Sequence, residues 1–260
     1  MTTPEKSNTN HSSTQDSSTQ HSTTTVVITG ANKGIGRETA AQLAARGWTV
    51  WLGARDAELG KAATAELAAD GVDVRFLQLD VTDDASVDAA VETVQSESGS
   101  LDVLVNNAGI GGPRLAPADT AASDFLACFG VNLLGPVRVT HAFLPLLQAS
   151  ANPRVVMVSS GLGSIARTTD PARLESTLHG LVYQSSKAAL NMVTSQYARA
   201  IPRSGSTRSI PATPLRTSTG TTDSSLSLKV PKPSSRRRRT RLRAARPAGS
   251  LTGPARLPGR

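Results

Sequence analysis

Cysteine and aromatic residues are scarce in this 260-residue chain, which has one cysteine, Cys128, and an aromatic content of 3%. A single cysteine excludes an internal disulfide and a multi-cysteine metal site. His141 and His179 lack partners at metal-ligand spacing, so we expect no metal site and assign these side chains no chemistry. The apolar residues are mainly alanine, valine and leucine, which suits close packing of helices on a sheet.

Long apolar runs are also absent. No run approaches the ~18 apolar residues of a membrane span, so we expect no membrane partner. Residues 1–23 are rich in serine, threonine and glutamine and lack the apolar segment of a signal peptide, so they are predicted to form a disordered tail. Together with the lack of disulfides, these absences predict a cytoplasmic protein.

Positive charge is concentrated at one end of the chain. Of the 28 lysine and arginine residues, 14 lie in residues 203–260, which contain a single acidic residue, Asp223, and therefore carry a charge of +13. Residues 1–202 hold the other 14 basic residues and 19 acidic residues, a charge of −5. The predicted folded part is thus mildly acidic, and the net charge of +8 comes from the segment that follows it.

Short apolar runs alternate with amphipathic stretches up to about residue 200. The predicted strands are Thr25–Ile28, Trp48–Gly53, Val74–Leu79, Leu101–Val105 and Arg154–Val158. The predicted helices are Arg37–Arg46, Asp56–Ala69, Asp83–Ser98, a long helix or helix pair over Ala118–Gln148, and Tyr183–Ala200. Repeated βα units of this length predict an α/β fold over residues 24–202, a single Rossmann-type doubly wound parallel sheet with helices on both faces.

A glycine-rich segment, Thr29-Gly30-Ala-Asn32-Lys33-Gly34-Ile35-Gly36, separates the first predicted strand from the first helix. At this position backbone amides and a helix N-terminus can hold a pyrophosphate. The spacing Gly-x-x-x-Gly-x-Gly differs from the commoner Gly-x-Gly-x-x-Gly, and a purely structural turn is the alternative interpretation. The position in a βα unit favours dinucleotide binding.

Tyr183 and Lys187 place a phenol and an ammonium four residues apart on a predicted helix, where they share one face. At a separation of ~6 Å and an effective dielectric constant of ~20, the lysine cation favours the phenolate by roughly 3 kcal/mol. Tyr183 is therefore a candidate general acid. The alternative is a chance pair on a surface helix.

The ordered set of motifs resembles the short-chain dehydrogenase/reductase family, in particular its carbonyl-reductase branch, over about residues 24–202. The resemblance implies cofactor contacts from Thr29, Gly30, Asn32, Lys33, Gly34, Ile35 and Gly36, from Asp80 and Val81, from Asn107, Ala108 and Gly109, and from Tyr183 and Lys187. The implied catalytic residues are Asn132, Ser160, Tyr183 and Lys187.

The activity that the resemblance implies is hydride transfer between a nicotinamide cofactor and a small carbonyl or alcohol substrate. Ser160, the second serine of the Ser159-Ser160 pair, would bind the substrate oxygen, and Tyr183 would donate the proton. Lys187 would assist Tyr183 and hold the nicotinamide ribose, and Asn132 would connect Lys187 to solvent through water. Each residue also has a simpler interpretation: Asn132 could bend its helix, the serines could end a strand, and Asn107 could bond backbone carbonyls.

The residue type at the end of the second predicted strand indicates which cofactor is preferred. An acidic residue there would accept the ribose 2′-hydroxyl and repel a 2′-phosphate. Arg55 follows this strand instead, and Lys33 lies in the glycine-rich segment. These two cations favour NADP(H) over NAD(H), and simple surface solvation is the alternative.

Residues 161–182, between Ser160 and Tyr183, form a segment longer than the usual family pattern and resemble the insertion that shapes the substrate entrance in carbonyl-reductase-like members. Specific nucleic-acid binding by base stacking is not expected, since no aromatic residue follows Tyr197. Family members pair through helices matching 118–148 and 183–200, which predicts a homodimer or homotetramer if the C-terminal part is intact.

The family pattern stops after Pro202, where we expect a disordered basic tail over 203–260 and no further strand. With a suitable choice of codons, a one-base shift from Ser204 onward reads Arg-Ile-Asn-Ala-Val-Asp-Pro-Gly-Tyr-Thr, the strand and Pro-Gly turn that the family requires. We therefore hypothesise a frameshift near 202–204. The alternative function is a catalytically impaired remnant that only binds cofactor, or that binds polyanions through its basic tail.

Overall fold

Six parallel strands form the central sheet of the computed structural model, which describes residues 23–69 and 71–200 and the backbone of 212–217. The strands are β1 (Thr25–Ile28), β2 (Thr49–Ala54), β3 (Val74–Gln78), β4 (Val103–Asn106), β5 (Arg154–Ser160) and β6 (Ala212–Thr217). Their order across the sheet is β3-β2-β1-β4-β5-β6, and every neighbouring pair is parallel. The predicted doubly wound parallel sheet is confirmed.

Seven α-helices connect or follow the strands within the described residues. They are α1 (Gly34–Ala44), α2 (Ala57–Ala68), α3 (Asp84–Ser98), α4 (Asp124–Phe129), α5 (Gly135–Ala149), α6 (Ile165–Thr168) and α7 (Val182–Ala200). Side chains of α1 and α2 pack in one apolar cluster, and side chains of α3, α5 and α7 pack in a second. The helices therefore cover both faces of the sheet, as predicted.

The strands are buried on both faces because their residues alternate between the two apolar clusters. Val26 and Ile28 of β1 belong to the cluster with α1 and α2, whereas Val27 belongs to the cluster with α3, α5 and α7. All three side chains are fully buried. A continuous β-branched run is the pattern expected of a central parallel strand.

The helix starts differ from the prediction by one residue where an aspartate is the N-cap. Asp56 accepts a hydrogen bond from the Leu59 N–H, and Asp83 accepts one from the Ala85 N–H, so both lie just before helices that were predicted to begin with them. These caps satisfy amides that the first helical turn leaves unpaired. In contrast, no side chain of the described residues caps α1, which begins after Lys33.

The long helix or helix pair predicted over Ala118–Gln148 is interrupted. A 3₁₀ turn at Pro117–Asp119 precedes α4, and a π-helical turn, Gly130–Leu134, joins α4 directly to α5. Such π turns are frequent at functional sites because they displace side chains from the regular helical spacing. Here the displaced turn contains Asn132, which is fully buried.

Residues 161–182, the predicted insertion, run from the end of β5 to the first residue of α7. The segment consists of a 3₁₀ turn at Gly161–Gly163, helix α6 and a second 3₁₀ turn at Leu174–Thr177. An ion pair of 2.6 Å between Arg167 and Glu175 ties α6 to the second turn. The segment is therefore a folded part of the molecule.

The strand β6 corrects the prediction that no strand follows Pro202. It pairs with β5 from Val155↔Ala212 to Ser160↔Thr217, and it contains Pro214. A proline is tolerated because β6 is the edge strand among the strands that the structure describes, and an edge strand can lack one N–H donor. The predicted tails lie outside the described residues except for Thr23 and 212–217, so neither their disorder nor the frameshift is tested. Among the described helices, none has the length and apolar character required to span a membrane.

Candidate active site

The loops that follow β1 and β4 are joined by a clasp centred on Asn107. The Thr29 hydroxyl oxygen accepts hydrogen bonds from the Asn107 and Ala108 N–H groups at 3.0 and 2.9 Å. In return, the Asn107 side-chain amide donates to the carbonyl oxygens of Thr29 and Gly30 at 2.9 and 3.0 Å. Asn107 thus makes the structural contacts considered as its simpler interpretation. The clasp lies between adjacent parallel strands, where doubly wound sheets bind ligands.

Glycine is required at two positions of the glycine-rich segment, one in the loop after β1 and one in the first turn of α1. Gly30 has φ 61°, and a Cβ atom there would lie 2.9 Å from the Cα of Ala108. A Cβ atom on Gly36 would lie 2.5 Å from the Asn107 side-chain nitrogen and would break the clasp. Because α1 lacks a side-chain cap within the described part of the chain, its first amides are free to meet a phosphate. The loop therefore fits a dinucleotide pyrophosphate.

A cavity of about 450 Å³ lies beside this loop and collects most of the predicted cofactor contacts. The predicted residues that line it are Gly30, Asn32, Lys33, Gly34, Ile35, Arg55, Asp80, Val81, Asn107, Ala108 and Gly109. Two predicted cofactor residues outside this set, Thr29 and Gly36, hold the loop in place through the contacts just described. We refer to this cavity as the nucleotide cavity.

Charged side chains in the nucleotide cavity are the cations Lys33 and Arg55 and the carboxylates Asp56 and Asp80. Burial raises the pKa of Asp80, but the Thr82 N–H and hydroxyl, which donate to Oδ1 at 2.9 and 2.7 Å, together with the charges of Arg55 and Arg138, leave this pKa below its ordinary value. Asp80 is therefore ionised at neutral pH. Arg55 and Lys33 are exposed, and neither forms an ion pair with another described residue.

A second cavity, of about 540 Å³, adjoins the first and contains Tyr183 and Lys187. We refer to it as the substrate cavity. The Lys187 ammonium lies 5.8 Å from the centroid of the Tyr183 ring, close to the distance expected for residues one helical turn apart. Lys187 is only 5% exposed, and its Nζ donates a hydrogen bond of 2.9 Å to the Val158 carbonyl. Burial lowers the pKa of Lys187 from 10.5 to about 8, and the nearby Cys128 opposes this effect.

Asn132 lies beside Lys187 but uses its side chain to hold the loop after β4. Its Oδ1 accepts from the Ile110 N–H at 2.8 Å, and its Nδ2 donates to the Ile110 carbonyl at 2.9 Å and to the Ser186 hydroxyl at 3.0 Å. A Cβ atom on Gly109 would lie 3.4 Å from the Asn132 oxygen and 3.6 Å from the Lys187 nitrogen. The Asn132 oxygen and the Lys187 nitrogen therefore both lie near Gly109. A water molecule that links the two side chains stays a prediction.

The two serines at the end of β5 have different surroundings. The Ser160 oxygen accepts a hydrogen bond of 3.2 Å from the Leu162 N–H and so caps the following 3₁₀ turn. Ser159 lines the substrate cavity, and its hydroxyl donates to the Asn191 side chain at 2.6 Å. Ser160, the predicted substrate-binding serine, is buried and is not among the lining residues. The structure therefore brings Ser159, Tyr183 and Lys187 to one cavity, and the role of Ser160 stays a prediction.

Helix α7 is held against the end of β5 by Asn191 and Gly163. The Asn191 amide donates to the Gly163 carbonyl at 3.0 Å while its oxygen accepts from Ser159. A Cβ atom on Gly163 would lie 2.6 Å from the Lys187 backbone carbon, so only glycine permits this approach. These contacts fix the serine pair relative to Tyr183 and Lys187.

Sequence reasoning missed several residues that line the substrate cavity. His179, to which no chemistry was assigned, belongs to the cavity wall, as do Arg114 and Gln184. Gln184 carried a signal, because it lies three positions before Lys187 on the same helix, where two side chains share a face. Arg114 and His179 lie in irregular segments, where no periodicity indicates the direction of a side chain. Within the described ranges, no group of histidine, cysteine and acidic residues could hold a metal ion.

Comparison with known proteins gives a family match. The family model described as "short chain dehydrogenase" matches residues 24–226, which extends past residue 202, where the sequence resemblance was predicted to end. A short-chain dehydrogenase/reductase of Aspergillus fumigatus is 40% identical over 176 residues, which cover 65% of this chain and 66% of that protein. Human retinol dehydrogenase 12 is 37% identical over 186 residues, covering 70% of this chain and 58% of that protein. The chain thus matches less than two thirds of the length of either relative.

Solved structures give the same fold with either nicotinamide cofactor. A metagenomic short-chain oxidoreductase in complex with NADP has 30% sequence identity and a TM-score of 0.59, over 68% of this chain and 76% of that chain. A short chain dehydrogenase/reductase from Burkholderia phymatum in complex with NAD has 26% identity and a TM-score of 0.63, over 75% of this chain and 65% of that chain. These neighbours support a nicotinamide cofactor without selecting one of the two.

Proposed function

We propose that this chain, which belongs to the short-chain dehydrogenase family, catalyses NADP(H)-dependent hydride transfer between a nicotinamide and a small carbonyl or alcohol substrate. The observation that carries the proposal is the position of Tyr183 and Lys187 in one cavity beside the nucleotide cavity. A carbonyl-reductase-like specificity is the finer part of the proposal. The predicted cytoplasmic location and homo-oligomer stay predictions.

The residues of the substrate cavity have separate roles in this reaction. A bound nicotinamide supplies or accepts the hydride. The Tyr183 hydroxyl donates its proton to the substrate oxygen as that oxygen gains negative charge, and the Lys187 cation stabilises the phenolate that is left. The Ser160 hydroxyl donates a hydrogen bond to the substrate oxygen. Apolar side chains such as Ile110 and Leu162 limit the access of water.

Arg55 supports a preference for NADPH. Its exposed guanidinium at the nucleotide cavity has no ion-pair partner among the described residues and suits a 2′-phosphate. We expect the wild-type chain to bind NADPH at least about tenfold more tightly than NADH, and the Arg55→Ala variant to lose most of this difference. Fluorescence titration of both cofactors measures it. Arg46→Ala is the matched control, since Arg46 is an exposed arginine that bonds the Gln42 carbonyl on α1. Equal affinity of the wild type for both cofactors would contradict the preference.

The alternative function, a remnant that binds cofactor or polyanions without turnover, is favoured by the basic composition of 203–260. An NADPH-oxidation assay with simple aldehydes and quinones, run on this chain beside one with the frame restored after residue 203, discriminates the two functions. We expect the restored chain to turn over at least about tenfold faster, because it regains the Pro-Gly turn that resembles the family's nicotinamide-binding wall. Equal and measurable rates would show that the written residues after 203 do not impair turnover, and resequencing the gene around 202–204 tests the frameshift hypothesis itself. NADPH binding without turnover by both chains would instead favour the remnant.

A further inference from the structure

Arg114 is a cation at the wall of the substrate cavity that has no role in the proposed hydride transfer. It lies in the loop after β4 and is exposed, and its guanidinium forms no hydrogen bond or ion pair with any other residue that the structure describes. His179, from the insertion, lines the same cavity and adds a polar imidazole. Neither residue has a part in the hydride-transfer reaction derived above. Both residues line the cavity that contains Tyr183, and we refer to them as its polar surface.

Nearby carboxylates do not neutralise this surface. None of the residues that line the substrate cavity is acidic. The two acidic residues of the insertion are each paired with another arginine: Glu175 with Arg167 at 2.6 Å, and Asp170 with Arg173 at 3.4 Å. Because these acids are paired elsewhere, the charge of Arg114 remains available to a ligand. Lys187 adds a second positive charge inside the cavity below about pH 8.

Apolar side chains form much of the remaining wall, beside the polar side chains of Asn107, Ser159 and Gln184. Ile110 and Pro113 of the loop after β4, and Leu162 and Leu178 of the insertion, line the space with Arg114 and His179. An apolar wall with few polar groups is the usual form of a small-molecule site, and the polar groups determine the orientation of the ligand. A planar guanidinium matches the two oxygens of a carboxylate.

We propose that the substrate is a carbonyl compound with an apolar body and an anionic group, such as a carboxylate, and that Arg114 binds this anionic group while His179 donates a second hydrogen bond. The inference rests on the proposed function, because it supposes that the carbonyl end of the substrate lies at Tyr183. Beyond the proposed function, the inference specifies the charge of the substrate and names Arg114 as the residue that selects this charge.

The kinetic test compares two aldehydes that differ in charge, p-carboxybenzaldehyde and its neutral methyl ester, as substrates for NADPH oxidation. We expect the carboxylate to have the higher kcat/KM. Arg114→Gln should lower kcat/KM for the carboxylate by about tenfold, mainly through KM, and leave the ester within about twofold. Arg46→Gln, which removes an exposed arginine outside the cavity, should change neither value. An equal loss for both aldehydes in Arg114→Gln, or no preference in the wild type, would overturn the inference.

A binding test separates this inference from the proposed function. In the presence of NADPH, p-(hydroxymethyl)benzoate cannot be oxidised, so calorimetry of the full chain measures its affinity without turnover. We expect it to bind about tenfold more tightly than its methyl ester, and Arg114→Gln to abolish that difference. If the aldehydes are not reduced but this difference is observed, the proposed function fails and the anion site stands. If both aldehydes are reduced but the affinities are equal, the proposed function stands and the anion site is refuted.

Discussion

Replacing Tyr183 by phenylalanine is expected to lower kcat by between about a hundredfold and ten-thousandfold while leaving NADPH affinity within about twofold. The substitution removes only the hydroxyl, so the ring keeps its place beside Lys187, whose ammonium lies 5.8 Å from the ring centroid. Without the hydroxyl, no phenol can deliver a proton to the substrate oxygen in the substrate cavity. The loss therefore belongs to the chemical step and not to the binding of cofactor.

The chain offers a matched control for this experiment in Tyr197, its only other tyrosine. Tyr197 lies on the same helix, α7, and is partly buried against the apolar cluster, where burial raises its pKa. Tyr197→Phe should therefore keep kcat within about threefold. Single-turnover oxidation of NADPH and fluorescence titration of the cofactor give the two readouts. If Tyr183→Phe retained wild-type turnover, its assignment as the proton donor would be wrong.

Raising the pH through about 8 is expected to lower kcat/KM for NADPH by about tenfold per pH unit. Burial lowers the pKa of Lys187 to about 8 in the unliganded protein, and kcat/KM for the cofactor reports groups of that form of the enzyme. Above this pH the ammonium loses the charge that would stabilise the Tyr183 phenolate and hold the ribose. A Lys187→Met variant should be at least about a hundredfold slower and should not show this decline.

The free energy of unfolding should rise over the same pH range in which kcat/KM for NADPH falls. The folded-state pKa of Lys187, about 8, lies below its ordinary value of 10.5, so between these values the unfolded chain binds more protons than the folded one. The free energy of unfolding therefore rises with pH across this window, and the lysine costs roughly 3 kcal/mol at pH values below it. Between pH 7 and 9.5 we expect the wild type to gain roughly 2 kcal/mol relative to Lys187→Met.

Urea unfolding of both proteins at the two pH values measures this gain, because the difference between the proteins removes the contribution of every other titrating group. A wild type that gained nothing relative to Lys187→Met would show that Lys187 titrates with an ordinary pKa when folded. In that case the decline of kcat/KM above pH 8 should also be absent. The two measurements therefore test one property of a single buried cation.

Local patterns were sufficient to predict the sheet and the positions of Tyr183 and Lys187. A β-branched run such as Thr25–Ile28 is buried on both faces, so its composition alone indicates a central strand. The pair on α7 could be predicted because helical spacing brings i and i+4 together whatever surrounds them. The boundaries at Asp56 and Asp83 were off by one residue, since an aspartate suits both the N-cap and the first turn.

Other features depend on contacts between distant segments and could not be predicted in this way. The π turn around Asn132 has no distinct periodicity, and it is supported by bonds to Ile110, 22 positions earlier in the sequence. Which of Ser159 and Ser160 faces the substrate cavity depends on the sheet and on Asn191. Arg114 gave no signal, because its significance comes from the pairing of Glu175 and Asp170 with other arginines. Electrostatic complementarity of this kind emerges only from the folded arrangement.

The clasp between Asn107 and Thr29 implies that the cofactor loop is preorganised. Protein groups alone satisfy the hydrogen bonds that hold the loops after β1 and β4, and neither loop needs a ligand to close it. A cofactor that meets a loop already in its binding shape does not have to offset the conformational entropy of ordering it. Most of the energy of the contacts between the cofactor and these loops then contributes to affinity. The loops after β1 and β4 should therefore change shape little when the cofactor binds.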